Sequence, residues 1–166
     1  MPGQGGAGWW PSSMNKATLW LVIFTALFVG KVSGENTGLQ IEIRPQRNEV
    51  KNTEVVLVDT KISNRGKEDV PIHVWICSYD QNWSSDNVFA VIEGISCGKN
   101  FIKTVNLKPG ESYESPLSVM VSVLAEELLM EEVTFRLGFR SVTYEAPQGT
   151  GEAVWSNPIT IKVKER

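Results

Sequence analysis

From Glu35 onward the hydrophobic pattern repeats every two residues, not every 3.6, and this limits what the chain can fold into. Leu39, Ile41 and Ile43 alternate with Gln40, Glu42 and Arg44, and Pro45 closes the segment. From Glu54 to Ser63, Val56, Val58, Thr60 and Ile62 share one face, and Asp59, Lys61 and Ser63 share the other. Ser115 to Val123 places Leu117, Val119, Val121 and Val123 on one side. Phe135, Leu137 and Phe139 alternate against Thr134, Arg136 and Arg140. Side chains on a strand point to opposite faces in turn, so each segment has one face to bury.

The remaining pieces fit the same scheme. Val70–Tyr79 is apolar on both faces, with Ile72, Val74 and Ile76 on one and His73, Trp75, Cys77 and Tyr79 on the other. That predicts a central strand. Shorter strands are predicted at Val88–Ile92 and Phe101–Leu107, and a last one at Val154–Val163, where Pro158 predicts an edge or a bulge. Asn64-Arg65-Gly66-Lys67 and Lys108-Pro109-Gly110-Glu111 read as turns whose Asn and Gly residues accept positive φ. One short helical turn is expected near 124–132, where LAEELLM is rich in helix formers.

About eight strands with short connections leave no room for parallel crossovers, so an antiparallel β-sandwich is expected. Two stretches carry a family likeness: Ile62-Ser-Asn-Arg-Gly-Lys-Glu-Asp-Val-Pro-Ile72 and Asn106-Leu-Lys-Pro-Gly-Glu-Ser-Tyr113. Both resemble the strand–turn–strand segments of bacterial immunoglobulin-like envelope domains. The resemblance implies an all-β, antiparallel immunoglobulin-like β-sandwich of about 7–8 strands. The chain departs from antibody-type domains in lacking a Cys beside Trp75 on the second or seventh strand. Fold likeness of this kind carries no function with it.

The first 34 residues differ from the rest. Their only charges are Lys16 and Lys31, and residues 17–30 form an uncharged apolar run. Fourteen residues fall short of the roughly twenty that span a bilayer, and fit the core of a secretory signal. The expected domains are 1–34, an N-terminal extension plus signal peptide, and 35–166, the β-sandwich. Residues 1–13 precede Met14, from which MNKATLWLVIF alone has the form of a signal, so Met14 is the expected start. The expected location is secreted or periplasmic. An uncleaved segment anchoring the chain to a membrane is the alternative.

Export directs the reading of the two cysteines. Cys77 and Cys97 are expected to form a disulfide. With both thiols joined and His73 the only imidazole, neither a metal set nor a nucleophile relay can be assembled. His73 reads as a packed, hydrogen-bonded strand residue. The chain is therefore expected to be no enzyme and to need no cofactor or metal. From Glu35 on, nineteen Asp and Glu outnumber fourteen Lys and Arg, which disfavours nucleic acid as a ligand. A non-catalytic binding or structural module with a protein partner is the expected function. The alternative is a carbohydrate-binding module on the 79–87 loop, where Tyr79 and Trp83 supply ring faces and Asp80 and Asp86 supply acceptors. Asn82-Trp83-Ser84 also spells a glycosylation acceptor.

If residues 17–30 act as a cleaved signal, the exported protein begins at Glu35. N-terminal sequencing of the exported form checks this, and a product that retains the apolar run points instead to a membrane anchor.

Overall fold

A computed structural model describes residues 38–123 and 131–164. The expected signal segment, the Met14 start and most of the expected helical turn near 124–132 lie outside those residues. The described chain forms β1 (Leu39–Pro45), β2 (Glu49–Lys51), β3 (Glu54–Asn64), β4 (Val70–Trp75), a 3-10 turn (Tyr79–Asn82), β5 (Trp83–Ser85), β6 (Ala90–Ile92), β7 (Ile102–Leu107), β8 (Ser112–Val121), β9 (Glu132–Phe135), β10 (Leu137–Phe139), β11 (Val154–Trp155) and β12 (Ile159–Lys164).

One layer is a four-stranded sheet in the order β1-β3-β8-β6, antiparallel throughout. The opposing layer is assembled from three ladders: β2-β12-β9, β11-β10-β5 and β4-β7. Among the described strands only β2 and β12 run parallel. This is an all-β immunoglobulin-like sandwich, with apolar side chains from both layers meeting between them. Val56, Val58 and Ile62 of β3 and Leu117, Val119 and Val121 of β8 are buried from one side. Val133, Phe135, Leu137, Phe139 and Ile161 are buried from the other. Burying each such side chain stabilises the fold by about 1.5–3 kcal/mol. Thr60, on the inner face of β3, satisfies its hydroxyl by donating to the Ser115 carbonyl at 2.6 Å.

The strand segments number twelve because long strands are divided. The last one splits around Ser156-Asn157-Pro158, where Pro158 predicts a bulge. Its partner splits at Arg136, and the two breaks are stitched together: Leu137 N donates to Ser156 Oγ and Ser156 N donates to the Leu137 carbonyl. The turn at Lys108–Glu111 forms as expected, with Gly110 at φ 83° and Glu111 N bonded to the Lys108 carbonyl. The Asn64–Lys67 turn works differently. Neither Asn64 nor Gly66 takes positive φ. Instead the buried Asn64 side chain accepts from Gly66 N and donates to the Glu68 and Leu107 carbonyls. Side-chain hydrogen bonding, not backbone handedness, sets that turn.

The predicted strand over 70–79 stops at Trp75, and Ile76 is exposed. The chain leaves the sheet at residue 76, makes the 3-10 turn and returns at Trp83. β5 then pairs with β10, with Phe139 opposite Trp83. Further along the same edge Val142 N donates to the His73 carbonyl. β4 and β5 are thus two halves of one strand beside residues 137–142, with residues 76–82 looped out between them.

Asn82 fills the gap. Its Oδ1 accepts from Trp75 N at 3.0 Å, and its Nδ2 donates to the His73 and Arg140 carbonyls at 3.0 and 2.9 Å. Its own carbonyl accepts from Arg140 N at 2.8 Å. A carboxamide carries a donor and an acceptor in one plane, so it can stand in for the missing peptide group. Asn82 is 2 % exposed and its amide nitrogen is committed, so the acceptor motif is closed to glycosylation in the folded chain.

Asn82→Ala leaves the Trp75 N–H and the Arg140 carbonyl without partners, while the His73 carbonyl keeps Val142. At about 1–3 kcal/mol for each orphaned buried group, a loss of about 3 kcal/mol is expected in urea unfolding. Asn82→Asp retains the acceptor but turns an oxygen towards two carbonyls, so it is expected to rescue nothing. A stable Asp variant would show that the two donated bonds carry little.

Candidate functional site

The looped-out segment has a second anchor. Cys77 and Cys97 form the disulfide, with Cα atoms 6.0 Å apart. The bond joins the loop to residues 93–101, the stretch that brings the chain from β6 in one layer to β7 in the other. Closing a loop of this length stabilises the fold by about 3 kcal/mol on the chain-entropy model. Hydrogen bonds complete the tie. Cys77 N and Ser78 N donate to Asn100 Oδ1, Ser78 Oγ donates to the Ile95 carbonyl, and Ile76 N donates to the Phe101 carbonyl.

Apolar side chains line the outside of this construction. Of the eight large hydrophobic residues exposed among the described residues, four gather here: Ile76, Ile95, Phe101 and Tyr144. Phe101 is 53 % exposed and Tyr144 67 %. Tyr144 is held edge-on to Trp75 at 6.0 Å, and its hydroxyl accepts from Ile102 N. Trp75 in turn donates its indole N–H to the Pro147 carbonyl. Four exposed apolar side chains are thus carried by segments that the disulfide and its hydrogen bonds tie together, and this group is called the apolar ridge.

The four residues singled out in the 79–87 loop do not converge on one surface. Tyr79 is half-buried and packs against the core. Asp80 Oδ1 accepts from Ile95 N at 3.3 Å and so belongs to the disulfide tie. Trp83 is 9 % exposed and packs edge-on against Phe139, 5.3 Å between centroids. Its place opposite Phe139 in the ladder turns the ring inward, so it offers no stacking face. Asp86 takes a third direction and engages Arg136. His73 remains in the ladder, with Nδ1 3.0 Å from Thr104 Oγ1. Among the described residues no group of three or more His, Cys, Asp or Glu is placed to hold a metal.

Sequence reasoning did not single out Trp155. It lies opposite Gly138 in the β10–β11 ladder, on the outward side. A Cβ on Gly138 would stand 2.9 Å from the indole ring, so only glycine lets the ring rest on the strand. The Arg136 guanidinium sits 5.5 Å from the ring centroid. Asp86 holds Arg136 from below, accepting from its backbone N–H at 2.7 Å and its Nε at 2.8 Å. Trp155 also borders a broad open depression of about 1140 Å³ over the outer face of β1 and β3. A signal was present in the sequence: Gly138, between Leu137 and Phe139 in a strand, marks a close approach.

No family model matches this chain, and no curated protein matches it. Among solved structures it is similar to a FixG-related protein from Vibrio parahaemolyticus, at a TM-score of 0.40 and 11 % identity, over 76 % of this chain and 97 % of that one. It is also similar to a chain from the complex of zinc 2-glycoprotein with prolactin inducible protein from human seminal plasma. There the TM-score is 0.38 and the identity 11 %, over 79 % of this chain and 100 % of that one.

Burial acts to raise the Asp86 carboxyl, but the Arg136 backbone N–H, the guanidinium bond and its charge outweigh it, and the pKa lies below the ordinary 3.8. A depressed folded-state pKa contributes stability above the unfolded value and loses it as pH falls through the folded one. Asp86→Asn is therefore expected to flatten the acid limb of stability against pH below about 4, read by urea midpoints at each pH. The Glu54 carboxyl is also lowered, by the Lys51 N–H and Arg47, so a Glu54→Gln background isolates the Asp86 share. An unchanged acid limb would show that the pair is not coupled to folding.

Proposed function

We propose that this chain is an exported, non-catalytic binding or structural module that works through protein–protein contact in a bacterial cell envelope. The observation that carries the reading is the apolar ridge at Ile76, Ile95, Phe101 and Tyr144. Exposed apolar side chains scattered singly mean nothing, but a cluster fixed in place is the usual mark of an interaction surface. Here a disulfide, one aromatic contact and several hydrogen bonds tie the segments that carry these side chains, so little ordering entropy remains to be lost on binding. Aromatic residues near the centre of such a patch are the common anchors of protein interfaces.

Location follows the same line. The Cys77–Cys97 disulfide is consistent with a compartment outside the cytoplasm, and the apolar run at 17–30 supports export. Among the described residues no helix is long and apolar enough to cross a membrane. The reading as a non-enzyme rests on the side-chain inventory, with one imidazole engaged with a threonine and both sulfurs joined. No sugar platform at the 79–87 loop is advanced as a second reading, because the Trp83 ring is turned into the core.

A photo-crosslinking residue at position 101 in the exported chain is expected to capture a discrete protein in intact cells. The same residue at position 162, on β12, is the control. Tyr144→Asp together with Ile76→Asp is expected to abolish the capture at 101 without unfolding the domain. Equal capture at both positions, or none at 101, would remove the ridge as a partner site.

A further inference from the structure

We propose that the free edge of β7 takes up an extended, acidic segment of a protein partner as an added β-strand. The proposal rests on the reading of the apolar ridge as a partner site, and it adds how the partner is held.

Among the described strands β7 pairs with β4 alone, so its other side is an edge. Ile76 N donates to the Phe101 carbonyl at 3.1 Å, which carries that ladder one step further and fixes its parity. Backbone groups alternate in direction along a strand. Lys103, Val105 and Leu107 therefore bond to β4, while Ile102, Thr104 and Asn106 turn their N–H and C=O groups away. Two contacts agree. Ile102 N donates to the Tyr144 hydroxyl, not to β4. His73, opposite Thr104, gives its N–H to Ser141 Oγ and its carbonyl to Val142, on the far side of β4. Thr104 and Asn106 are exposed, and among the described residues nothing pairs with their backbone groups. A row of unpaired peptide groups is a template for another strand.

The other edges are blunted. On β1, Asn157 occupies both the N–H and the carbonyl of Ile43, and Pro45 ends the strand. β2 and β6 have three residues each. β7 has six and no proline. Its one guard is the exposed Lys103, and that guard selects what can pair.

Charge names the occupant. Residues 99–108, KNFIKTVNLK, hold three lysines and no acid. None of the three has an ion pair among the described residues. At the far end Asp69 accepts from the Asn106 amide and Glu111 accepts from the Lys108 N–H. The unbalanced positive charge therefore lies at Lys99 and Lys103, on either side of Phe101. A β7 strand from a second copy would set lysines against a strand without acids, and like charges across a ladder destabilise it. An acidic strand meets them with the opposite sign. Phe101 and Ile76, which face each other across the ladder, give its alternate side chains an apolar contact.

A phage-displayed library of random decapeptides, panned on the exported chain, tests this. The selected peptides are expected to be acidic, with apolar residues at alternate positions. At about ten times Kd a selected peptide should slow hydrogen exchange at the Thr104 and Asn106 amides about tenfold, because exchange then proceeds from the free fraction. The Lys103 and Val105 amides, already bonded to β4, should change less. Thr104→Pro removes an outward N–H and no bond to β4, and should weaken binding about tenfold or more. Thr104→Val, which loses only the hydroxyl, should keep most of it. Urea unfolding of each variant separates lost binding from lost fold, and the exchange pattern decides the question even if Thr104→Pro unfolds. Four results would each overturn the proposal: no peptide or only basic peptides selected, binding that leaves Thr104 and Asn106 exchange unchanged, a folded Thr104→Pro that binds as wild type, or protection of both amides before any peptide is added. The last would show an edge already covered by this chain or a second copy. Capture at position 101 that persists in folded Thr104→Pro keeps the ridge as a partner site and removes strand addition alone.

Discussion

A single buried carboxamide makes the rest of the architecture possible. One strand of the second layer is broken after Trp75, and a broken strand in a sandwich exposes peptide groups where water cannot reach them. Asn82 closes the breach by offering, from its side chain, the donor and acceptor that the absent peptide would have offered. The same device recurs at lower stakes. Asn52 exchanges bonds with both backbone groups of Val123, and Asn157 does so with Ile43, tying the first strand across to the break at Pro158. Irregular connections are tolerated in this fold because planar amides satisfy the backbone wherever the ladders stop.

The break has consequences for the surface. Residues 76–82 leave the sheet and carry Cys77 towards the crossing segment, where Cys97 meets it. The staple and its hydrogen bonds then tie together the segments that carry Ile76, Ile95, Phe101 and Tyr144. A regular strand from Val70 to Tyr79 would have spread its side chains evenly over two faces. The seat of Trp155 lies on the other side of the same neighbourhood. The run from Val133 to Val142 pairs with both halves of the broken strand, and its Gly138 lets Trp155 lie against it. The exposed apolar group and the seat of Trp155 are thus consequences of how strands are interrupted and where a side chain is missing.

Much of the fold was legible in the sequence, for a physical reason. A period-two pattern with one buried face specifies strands, faces and register limits locally, and the alternation at Val56–Ile62 and Leu117–Val121 survives unchanged in the sandwich. Pro158 and Pro109-Gly110 were readable because their backbone constraints belong to the residue itself. The disulfide was readable because two cysteines in a chain whose sequence reads as exported leave one pairing. The candidate site was less legible. In the 79–87 loop composition alone could not say which way Trp83 points, since its direction follows from pairing with Phe139, over fifty residues later. Asp86 looked like a free acceptor because Arg136 is equally distant in the chain.

By itself, then, the sequence determined an all-β domain with its strands, turns and inward faces, and one covalent bond. Those follow from local stereochemistry, periodic burial and a cysteine count of two. Tertiary structure alone decided that one predicted strand would break, that Asn82 would fill the gap, and that Trp83 would be core while Trp155 remained outside. Each of these depends on what stands opposite in the neighbouring strand. A hydrogen bond or a ring contact between residues fifty positions apart has no local signature, because only the closed sandwich brings the two partners together.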